Sequence, residues 1–184
     1  MDPVRRLYYR AIGSLVNMPW WNAYYRRLYR RDPERAYRGP GETPVVLLTT
    51  LGRRTGERRS TPVAGWPEQQ NVILVAARAG SPRHPAWYLN LKAHPVVEVA
   101  QGRRVRRMHA REVTGAERER LWSTLVRGFA GYDAYRAMTR RRIPVVVLEP
   151  ISDPALASSG QVLTAARDGS EAKRNGDQTS LTRR

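Results

Sequence analysis

The first part of the chain has a helical spacing of apolar side chains. Over residues 3–31, aromatic and aliphatic residues recur three or four positions apart, with a break near Met18-Pro19, and this period predicts amphipathic helices. Such a face can pack on the protein's own domain, or lie at an anionic membrane surface where aromatics sit beside cations. The apolar side consists of Tyr8, Tyr9, Ile12, Leu15, Trp20, Trp21, Tyr24, Tyr25 and Leu28, and the flanking cations are Arg5, Arg6, Arg10, Arg26, Arg27, Arg30 and Arg31.

After a glycine- and proline-containing linker at 39–43, the pattern changes to short apolar runs separated by turn residues, which predicts strands. Thr114 followed by Glu117 has the spacing of a capping box at the start of a helix. Because the strands do not alternate with long helices, a small barrel or sandwich with added helices is favoured over a doubly wound sheet. The predicted strands are 44–50, 60–66, 72–78, 96–101, 104–113 and 144–150, and the predicted helices are 86–93, one after Thr114 and one around 132–138.

Beyond Pro150 the composition changes to Ser, Gly, Ala, Asp, Gln and Lys with few large apolar residues. Such a segment cannot bury enough apolar surface to fold, so we expect a mostly disordered tail over 151–184. The sequence therefore predicts three parts: an N-terminal helical extension over 1–40, a strand-rich domain over 41–150, and the tail.

Charge and composition narrow the possible chemistry. The 184 residues include 33 Lys and Arg against 16 Asp and Glu, a net charge of +17, and no cysteine. Disulfides and thiolate zinc sites are thereby excluded, and the positive field attracts nucleic acid, anionic membranes or a ligand rich in phosphate and carboxylate.

Neither a transmembrane run nor a signal peptide is predicted. Serine-elbow, P-loop and HExxH motifs are absent, and His84, His94 and His109 lack metal-ligand spacing; this favours an enzyme whose cofactor carries the chemistry.

The segment 52–59 (GRRTGERR) forms a glycine-punctuated turn between two predicted strands. Glycines let a backbone approach an anion closely, and backbone N–H groups together with Thr55 can bind phosphate oxygens. Arg53, Arg54 and Arg59 can add charge-assisted hydrogen bonds. A solvated basic hairpin fits the same residues, so the turn by itself leaves both interpretations open.

Two aromatic groups are candidates for contact with a flat ligand. In the segment 85–91, Trp87 can act as a wall and Asn90 as an amide partner for a planar heteroaromatic molecule, although a core helix has the same pattern. The second group has a spacing of three, which places its members on one helix face, either as core packing or as a lid over a planar molecule. It consists of Phe129, Tyr132 and Tyr135.

In their order along the chain, these segments resemble the deazaflavin (coenzyme F-420)-dependent nitroreductase family. The resemblance runs from about Pro44 to Pro150 and includes LLTTLGRRTGERRSTPV, VILVAAR, PAWYLNLKAHP and RRIPVVVLEP. It implies an α+β protein that is mainly β with added helices: a flavin-reductase-like split β-barrel over 41–150. The implied cofactor is coenzyme F-420, an 8-hydroxy-5-deazaflavin with a phosphate and an oligoglutamate tail.

The resemblance also implies site residues. The basic turn would hold the phosphate and nearby carboxylates, the next segments would lie along the ring, and Tyr132 would orient the acceptor as the catalytic residue. The implied cofactor-binding residues are Arg53, Arg54, Thr55, Arg59, Pro62, Val63, Ala64, Val75, Ala76, Ala77, Arg78, Ala86, Trp87, Tyr88 and Asn90, and the implied substrate-binding residues are Phe129, Tyr132 and Tyr135. Nitro-reducing members can carry Tyr near Ala64, Ser near Ala77 and Tyr at Phe129; this chain lacks those hydroxyls.

The implied reaction is hydride transfer from reduced coenzyme F-420 to a planar electrophile: a quinone, an enone or a nitroaromatic. A lipid-soluble quinone would fit the aromatic, basic N-terminal helices. Two alternatives remain: an FMN-dependent oxidoreductase on the same kind of barrel, and a non-catalytic basic module that binds nucleic acid or membrane. We expect a cytoplasmic protein that can associate peripherally with the inner face of the plasma membrane, with no specific nucleic-acid partner.

Overall fold

In the computed structural model, which describes residues 3–16 and 18–151, six antiparallel strands close into a barrel in the order β1-β2-β3-β6-β5-β4. The predicted mainly β fold, a split barrel with added helices, is confirmed. The strands are β1 (Val45–Leu51), β2 (Arg58–Glu68), β3 (Asn71–Val75), β4 (Val96–Gln101), β5 (Arg104–Glu112) and β6 (Val145–Pro150). Pairing of β1 with both β2 and β4 closes the sheet and leaves no free edge.

Alternation along the strands fills the barrel. On β1, Val46, Leu48 and Thr50 are buried, whereas the intervening side chains point to the opposite face, as the period of two in a strand requires. Val46 and Leu48 pack inside with aliphatic residues of the other five strands or their flanks. The short apolar runs of the sequence therefore correspond to strands with a buried inner face.

The helices cover the barrel and its ends. They are α1 (Pro3–Val16), α2 (Pro19–Arg31), α3 (Pro33–Arg38), α4 (Ala86–Ala93), α5 (Gly115–Gly128) and α6 (Gly131–Ala137). The predicted break near Met18-Pro19 is confirmed, because α1 ends before it and α2 begins at the proline. Tyr25 and Tyr29 of α2 are buried in a cluster with Val45 of β1. The division of the chain at residue 40 stays a prediction, and the predicted tail lies outside the described residues except for Ile151.

Two local expectations were wrong. The strand predicted over 72–78 ends at Val75, and Arg78 and Ala79 adopt positive φ angles of 46° and 52°, which a strand does not contain. The predicted capping box is also not formed: Thr114 is the N-cap residue of α5 but makes no side-chain cap hydrogen bond. Glu117 instead accepts two hydrogen bonds of 2.8 Å from Arg111 on β5. A charged partner on a neighbouring element has thus replaced the local one.

Candidate functional site

The basic turn between β1 and β2 is held by its own backbone. The N–H of Gly52 donates to the carbonyl of Glu57 at 2.8 Å, and the N–H of Gly56 donates to the carbonyl of Gly52 at 2.7 Å. Gly56 has a φ of 67°, which glycine adopts without steric cost. A Cβ at position 52 would lie 2.9 Å from Oγ1 of Thr55. Gly56 therefore supplies the left-handed backbone of the turn, and Gly52 leaves room for the Thr55 hydroxyl.

Asn90 of α4 fixes the turn to the rest of the protein. This side chain is 4% exposed. Its Oδ1 accepts a hydrogen bond from the N–H of Arg53 at 3.3 Å, and its Nδ2 donates to Oγ1 of Thr50 at 3.1 Å. The structure thus brings Asn90 and the start of the basic turn together. Thr50, which the sequence analysis did not single out, completes the link because its hydroxyl is buried at the end of β1.

The three arginines of the turn differ in their partners. Nη2 of Arg59 donates to the Glu57 carboxylate at 2.7 Å and to Oγ1 of Thr55 at 3.5 Å. The side chains of Arg53 and Arg54 are exposed and form no ion pair within the described part of the chain. For binding an anion, the turn therefore offers the guanidinium groups of Arg53 and Arg54, which have no acidic partner among the described residues, and that of Arg59, which is already paired with Glu57.

The proposed ring contacts divide between two apolar clusters. Val63, Ala76, Trp87 and Tyr88 belong to the cluster that fills the barrel. Val75 and Ala77 belong to the second cluster, which contains the side chains of α5 and α6. Consecutive residues at the end of β3 thus contact the two clusters alternately, so the two clusters meet at this point. Of the other proposed contacts, Pro62 and Ala64 are half-buried on β2, and Ala86 and Arg78 are exposed.

The three aromatics that were predicted to bind the substrate, Phe129, Tyr132 and Tyr135, lie together, as their spacing predicts. Ring centroids are 5.2 Å apart for Phe129 and Tyr132 and 6.1 Å apart for Phe129 and Tyr135. Nε1 of Trp66 donates a 2.8 Å hydrogen bond to the Tyr132 hydroxyl. Tyr132 is 4% exposed, and burial raises the pKa of its hydroxyl above the ordinary value of 10.0. Tyr132 therefore stays protonated at neutral pH.

The N-terminal helix α1 packs over this aromatic group. Tyr9 makes an edge-to-face contact with Phe129 at a centroid distance of 5.6 Å, and the hydroxyl of Tyr135 donates to the Tyr9 carbonyl at 3.3 Å. Burial raises the pKa of Tyr135 to about 12. Because Tyr9 was assigned only to a general apolar face in the sequence, its contact with the site was missed; no local motif signals a contact across this sequence distance.

A polar cluster lies at the other end of α4. The Tyr88 hydroxyl donates to Oε2 of Glu112 at 2.7 Å, and the His84 ring lies 4.9 Å from the Tyr88 ring. Burial and the nearby guanidinium of Arg141 lower the pKa of His84 below its ordinary value of 6.5, and the Glu112 carboxylate opposes this shift. Nη1 of Arg78 donates to the His84 carbonyl at 3.3 Å. The sequence did not single out Glu112 or Arg141, because each contacts this cluster from a segment that is distant in the sequence.

Taken together, the site offers cations and backbone for an anionic group, apolar walls for a planar one, and protonated tyrosine hydroxyls beyond the walls. The described residues contain no group of three or more His, Cys, Asp or Glu side chains that could hold a metal ion. Within the same residues, no helix is long and apolar enough to cross a membrane.

Comparison with known proteins connects these features to one family. Residues 23–150 match the model of a family described as F420H(2)-dependent quinone reductase. A putative F420H(2)-dependent quinone reductase of Mycobacterium tuberculosis is 34% identical over 107 residues, which cover 58% of this chain and 90% of that relative. A second F420H(2)-dependent quinone reductase of Mycobacterium tuberculosis is 37% identical over 115 residues, covering 61% of this chain and 77% of the relative.

A solved structure supports the same relationship. It is described as an F420-H2 dependent reductase, superposes with a TM-score of 0.54 and is 40% identical, and the alignment covers 58% of this chain and 94% of that structure. The resemblance to coenzyme F-420-dependent enzymes is therefore confirmed, with the family name of quinone reductase in place of nitroreductase.

Proposed function

Because the chain belongs to the F420H(2)-dependent quinone reductase family, we propose that it transfers a hydride from reduced coenzyme F-420 to a quinone. When bound, the reduced coenzyme supplies two electrons and two hydrogens, one as hydride and one as a proton, and the quinone leaves as the hydroquinone. The FMN-dependent alternative is not supported, since the family and the relatives carry the F-420 dependence in their names. The observation that carries the proposal is the basic turn, which Asn90 of α4 binds at Arg53, beside the apolar cluster that Trp87 and Tyr88 of α4 form with Ala76.

The basic turn fits the anionic part of the coenzyme. Arg53 and Arg54 have exposed guanidinium groups without ion pairs in the described residues, and Thr55 adds a hydroxyl. We assign these residues and Arg59 to the phosphate and nearby carboxylates, where each well-desolvated charge-assisted hydrogen bond contributes about 1.5–3 kcal/mol. Asn90 keeps the turn at the mouth of the barrel through the 3.3 Å hydrogen bond from the Arg53 N–H.

The flat ring would lie where the two apolar clusters meet. Ala76 and Ala77 have small side chains and are buried in the free protein, and Trp87 lies in the same apolar cluster as Ala76. The remaining assigned ring contacts line this region on β2, on β3 and at the start of α4. They are Pro62, Val63, Ala64, Val75, Arg78, Ala86 and Tyr88. Holding donor and acceptor in line and excluding water is the protein's contribution to such a reaction.

The aromatic group formed by Phe129 and by Tyr132 and Tyr135 of α6 would receive the quinone. Phe129 and Tyr135 supply ring surfaces for a planar acceptor, and Tyr132 supplies a hydroxyl that accepts from Trp66 and keeps its own proton to donate. We assign to Tyr132 the hydrogen bond that orients a quinone oxygen. Since Tyr132 is only 4% exposed, this contact requires Phe129 or α1 to move when the acceptor enters.

The exposed face of α1 and α2 suggests where a lipid-soluble quinone is met. Leu7 and Tyr8 of α1 are 69% and 60% exposed, and Trp20 and Tyr24 of α2 are 53% and 50% exposed. Exposed arginines flank them on the same two helices. Aromatics at the headgroup level with cations beside them are typical of helices that bind anionic interfaces. We propose that these two helices bind an anionic membrane surface.

Cofactor titration and turnover test the proposed function. Fluorescence titration of the full chain with coenzyme F-420 is expected to give an affinity of the micromolar order, about −8 kcal/mol, and reduced F-420 is expected to be consumed when menadione is added. FMN serves as the control cofactor. Comparable or tighter FMN binding together with FMN-supported turnover would overturn the proposal.

A further inference from the structure

Arg141, in the loop between α6 and β6, binds the segment that follows β3 at three backbone carbonyls. Its Nη2 donates to the carbonyls of Ala76 and Ala77 at 2.9 and 2.7 Å, and its Nε donates to the carbonyl of Ser81 at 2.8 Å. A planar guanidinium has donors in a fixed fork that can span such a set, whereas a lysine ammonium has one centre. Arg141 therefore ties both ends of the segment 76–81 to the loop before β6.

These hydrogen bonds decide which way two peptide groups face. The peptide bonds are trans, so each N–H points opposite to the carbonyl of the same peptide group. The N–H of Ala77 belongs to the peptide group of the Ala76 carbonyl, and the N–H of Arg78 to that of the Ala77 carbonyl. Because both carbonyls point at Arg141, both N–H groups point away from it. Neither donates a backbone hydrogen bond within residues 3–16 and 18–151.

The same segment has a conformation that needs outside support. Arg78 and Ala79 have φ angles of 46° and 52°, and non-glycine residues keep such angles only where surrounding contacts hold them. Arg141 makes no ion pair with a carboxylate among the described residues, and burial together with the nearby Arg78 lowers its pKa. Its charge is therefore compensated by backbone carbonyl dipoles and not by an acidic side chain.

We propose that Arg141 is a positioning residue for hydride transfer, which holds the peptide groups of Ala76 to Arg78 with their N–H bonds directed at a carbonyl oxygen of the deazaflavin ring. This inference rests on the proposed function, which assigns the same segment to the ring. Donors fixed before the reaction stabilise charge that develops on such an oxygen without reorganising. Arg141 itself does not contact the ring; it acts through the backbone that it orients.

Kinetics with a matched control test this role. Arg141→Gln keeps donor groups but not the fork, and Arg142→Gln removes the same charge from an exposed neighbour. With reduced F-420 and menadione, we expect Arg141→Gln to lower kcat by roughly tenfold or more, because misplacement of fixed donors by a fraction of an ångström is costly. The KM for F-420 should change less than about threefold, since the anionic turn is intact. Arg142→Gln should stay within about twofold of wild type in both.

A measurement on the wild-type chain keeps the test valid if Arg141→Gln fails to fold. In ¹⁵N-resolved NMR spectra, titration with oxidised F-420 should move the amide proton signals of Ala77 and Arg78 downfield, as new hydrogen bonds to an oxygen require. If the wild-type protein does not bind F-420, the proposed function fails. If F-420 binds but these two amides do not move, or if Arg141→Gln melts at a lower temperature yet keeps its kcat, the inference about Arg141 alone is overturned.

Discussion

The indole N–H of Trp66 on β2 donates a 2.8 Å hydrogen bond to the phenolic oxygen of Tyr132 on α6. This bond joins the barrel wall to the helix that carries Tyr132 and Tyr135, and it fixes the Tyr132 oxygen as an acceptor. The hydroxyl proton of Tyr132 remains available for a further oxygen. Tyr132 thus accepts the hydrogen bond of Trp66 in the free protein, and its proposed second role is to donate to the electron acceptor in the complex.

Replacing Tyr132 by Phe should affect both roles. The Trp66 N–H would lose its partner in a largely buried place, which costs about 1–3 kcal/mol of unfolding free energy, a decrease in Tm of several degrees for a domain of this size. Quinone turnover should fall by roughly tenfold if the hydroxyl orients the acceptor. Differential scanning fluorimetry and menadione-dependent oxidation of reduced F-420 measure the two effects. Loss of stability with unchanged kcat would leave Tyr132 with the structural role only.

Arg59→Ala should weaken F-420 binding by about tenfold. A charge-assisted hydrogen bond contributes about 1.5–3 kcal/mol, and 1.4 kcal/mol corresponds to one decade; the existing Glu57 contact at 2.7 Å reduces the net gain. Arg58→Ala is the control, because Arg58 points to the other face of β2 and pairs with Glu98 at 3.0 Å. Equal affinities for Arg59→Ala and wild type, at equal Tm, would mean that the turn is a solvated basic hairpin.

Glu57→Gln should have the opposite effect on the same titration. In the free protein the Glu57 carboxylate holds Arg59, and both side chains are more than half exposed. Exposed ion pairs contribute about 0–1 kcal/mol, so releasing Arg59 should tighten F-420 binding by up to about fivefold. The gain should disappear in the Arg59→Ala background, which the double-mutant cycle measures. A tighter complex in both backgrounds would show that Glu57 acts on the ligand directly and not through Arg59.

Vesicle binding tests the exposed helices. The protein should sediment with vesicles that contain phosphatidylglycerol and less with pure phosphatidylcholine, and salt should weaken the association by screening. Changing Leu7 and Trp20 together to Ser should lower the affinity by at least about tenfold, since a buried large apolar side chain contributes about 1.5–3 kcal/mol. Val105→Ser is the matched control, with 57% exposure on the barrel. Equal loss in the control, or no binding of wild type at low salt, would leave α1 and α2 as packing elements.

His84 should make stability depend on pH. Its pKa in the folded state is lowered below 6.5, mainly by burial and then by Arg141, so between the lowered value and 6.5 the unfolded chain binds more protons than the folded one. The unfolding free energy should therefore fall as the pH falls through this window. His84→Gln should remove that decrease and match the wild-type slope near pH 8, where His84 is neutral in both states. Urea unfolding at several pH values measures the slope; an unchanged slope in the variant contradicts the assignment.

Local patterns in the sequence were sufficient for much of the fold. The run at 44–50 predicted β1, Pro85 and Pro95 bounded α4, and the glycines of 52–59 predicted the turn, because each depends on the period of the chain or on the φ preferences of Gly and Pro. The order of these segments also carried the family resemblance. The basic turn could be found in this way because all of its residues are neighbours in the sequence.

The tertiary structure decided the features that depend on pairing across the chain. Arg141 lies 64 residues from the Ala77 carbonyl that it binds, Tyr9 lies 126 residues from the Tyr135 hydroxyl, and Glu117 pairs with Arg111 in place of the Thr114 cap. In so basic a sequence, no local pattern distinguishes an arginine with a solvated side chain from one that binds three backbone carbonyls. Closure of the barrel brings such groups together, and hydrogen bonds between distant residues then outweigh local preference. The strand predicted to continue to Arg78 ends at Val75, and Arg141 binds the backbone of the segment that follows it.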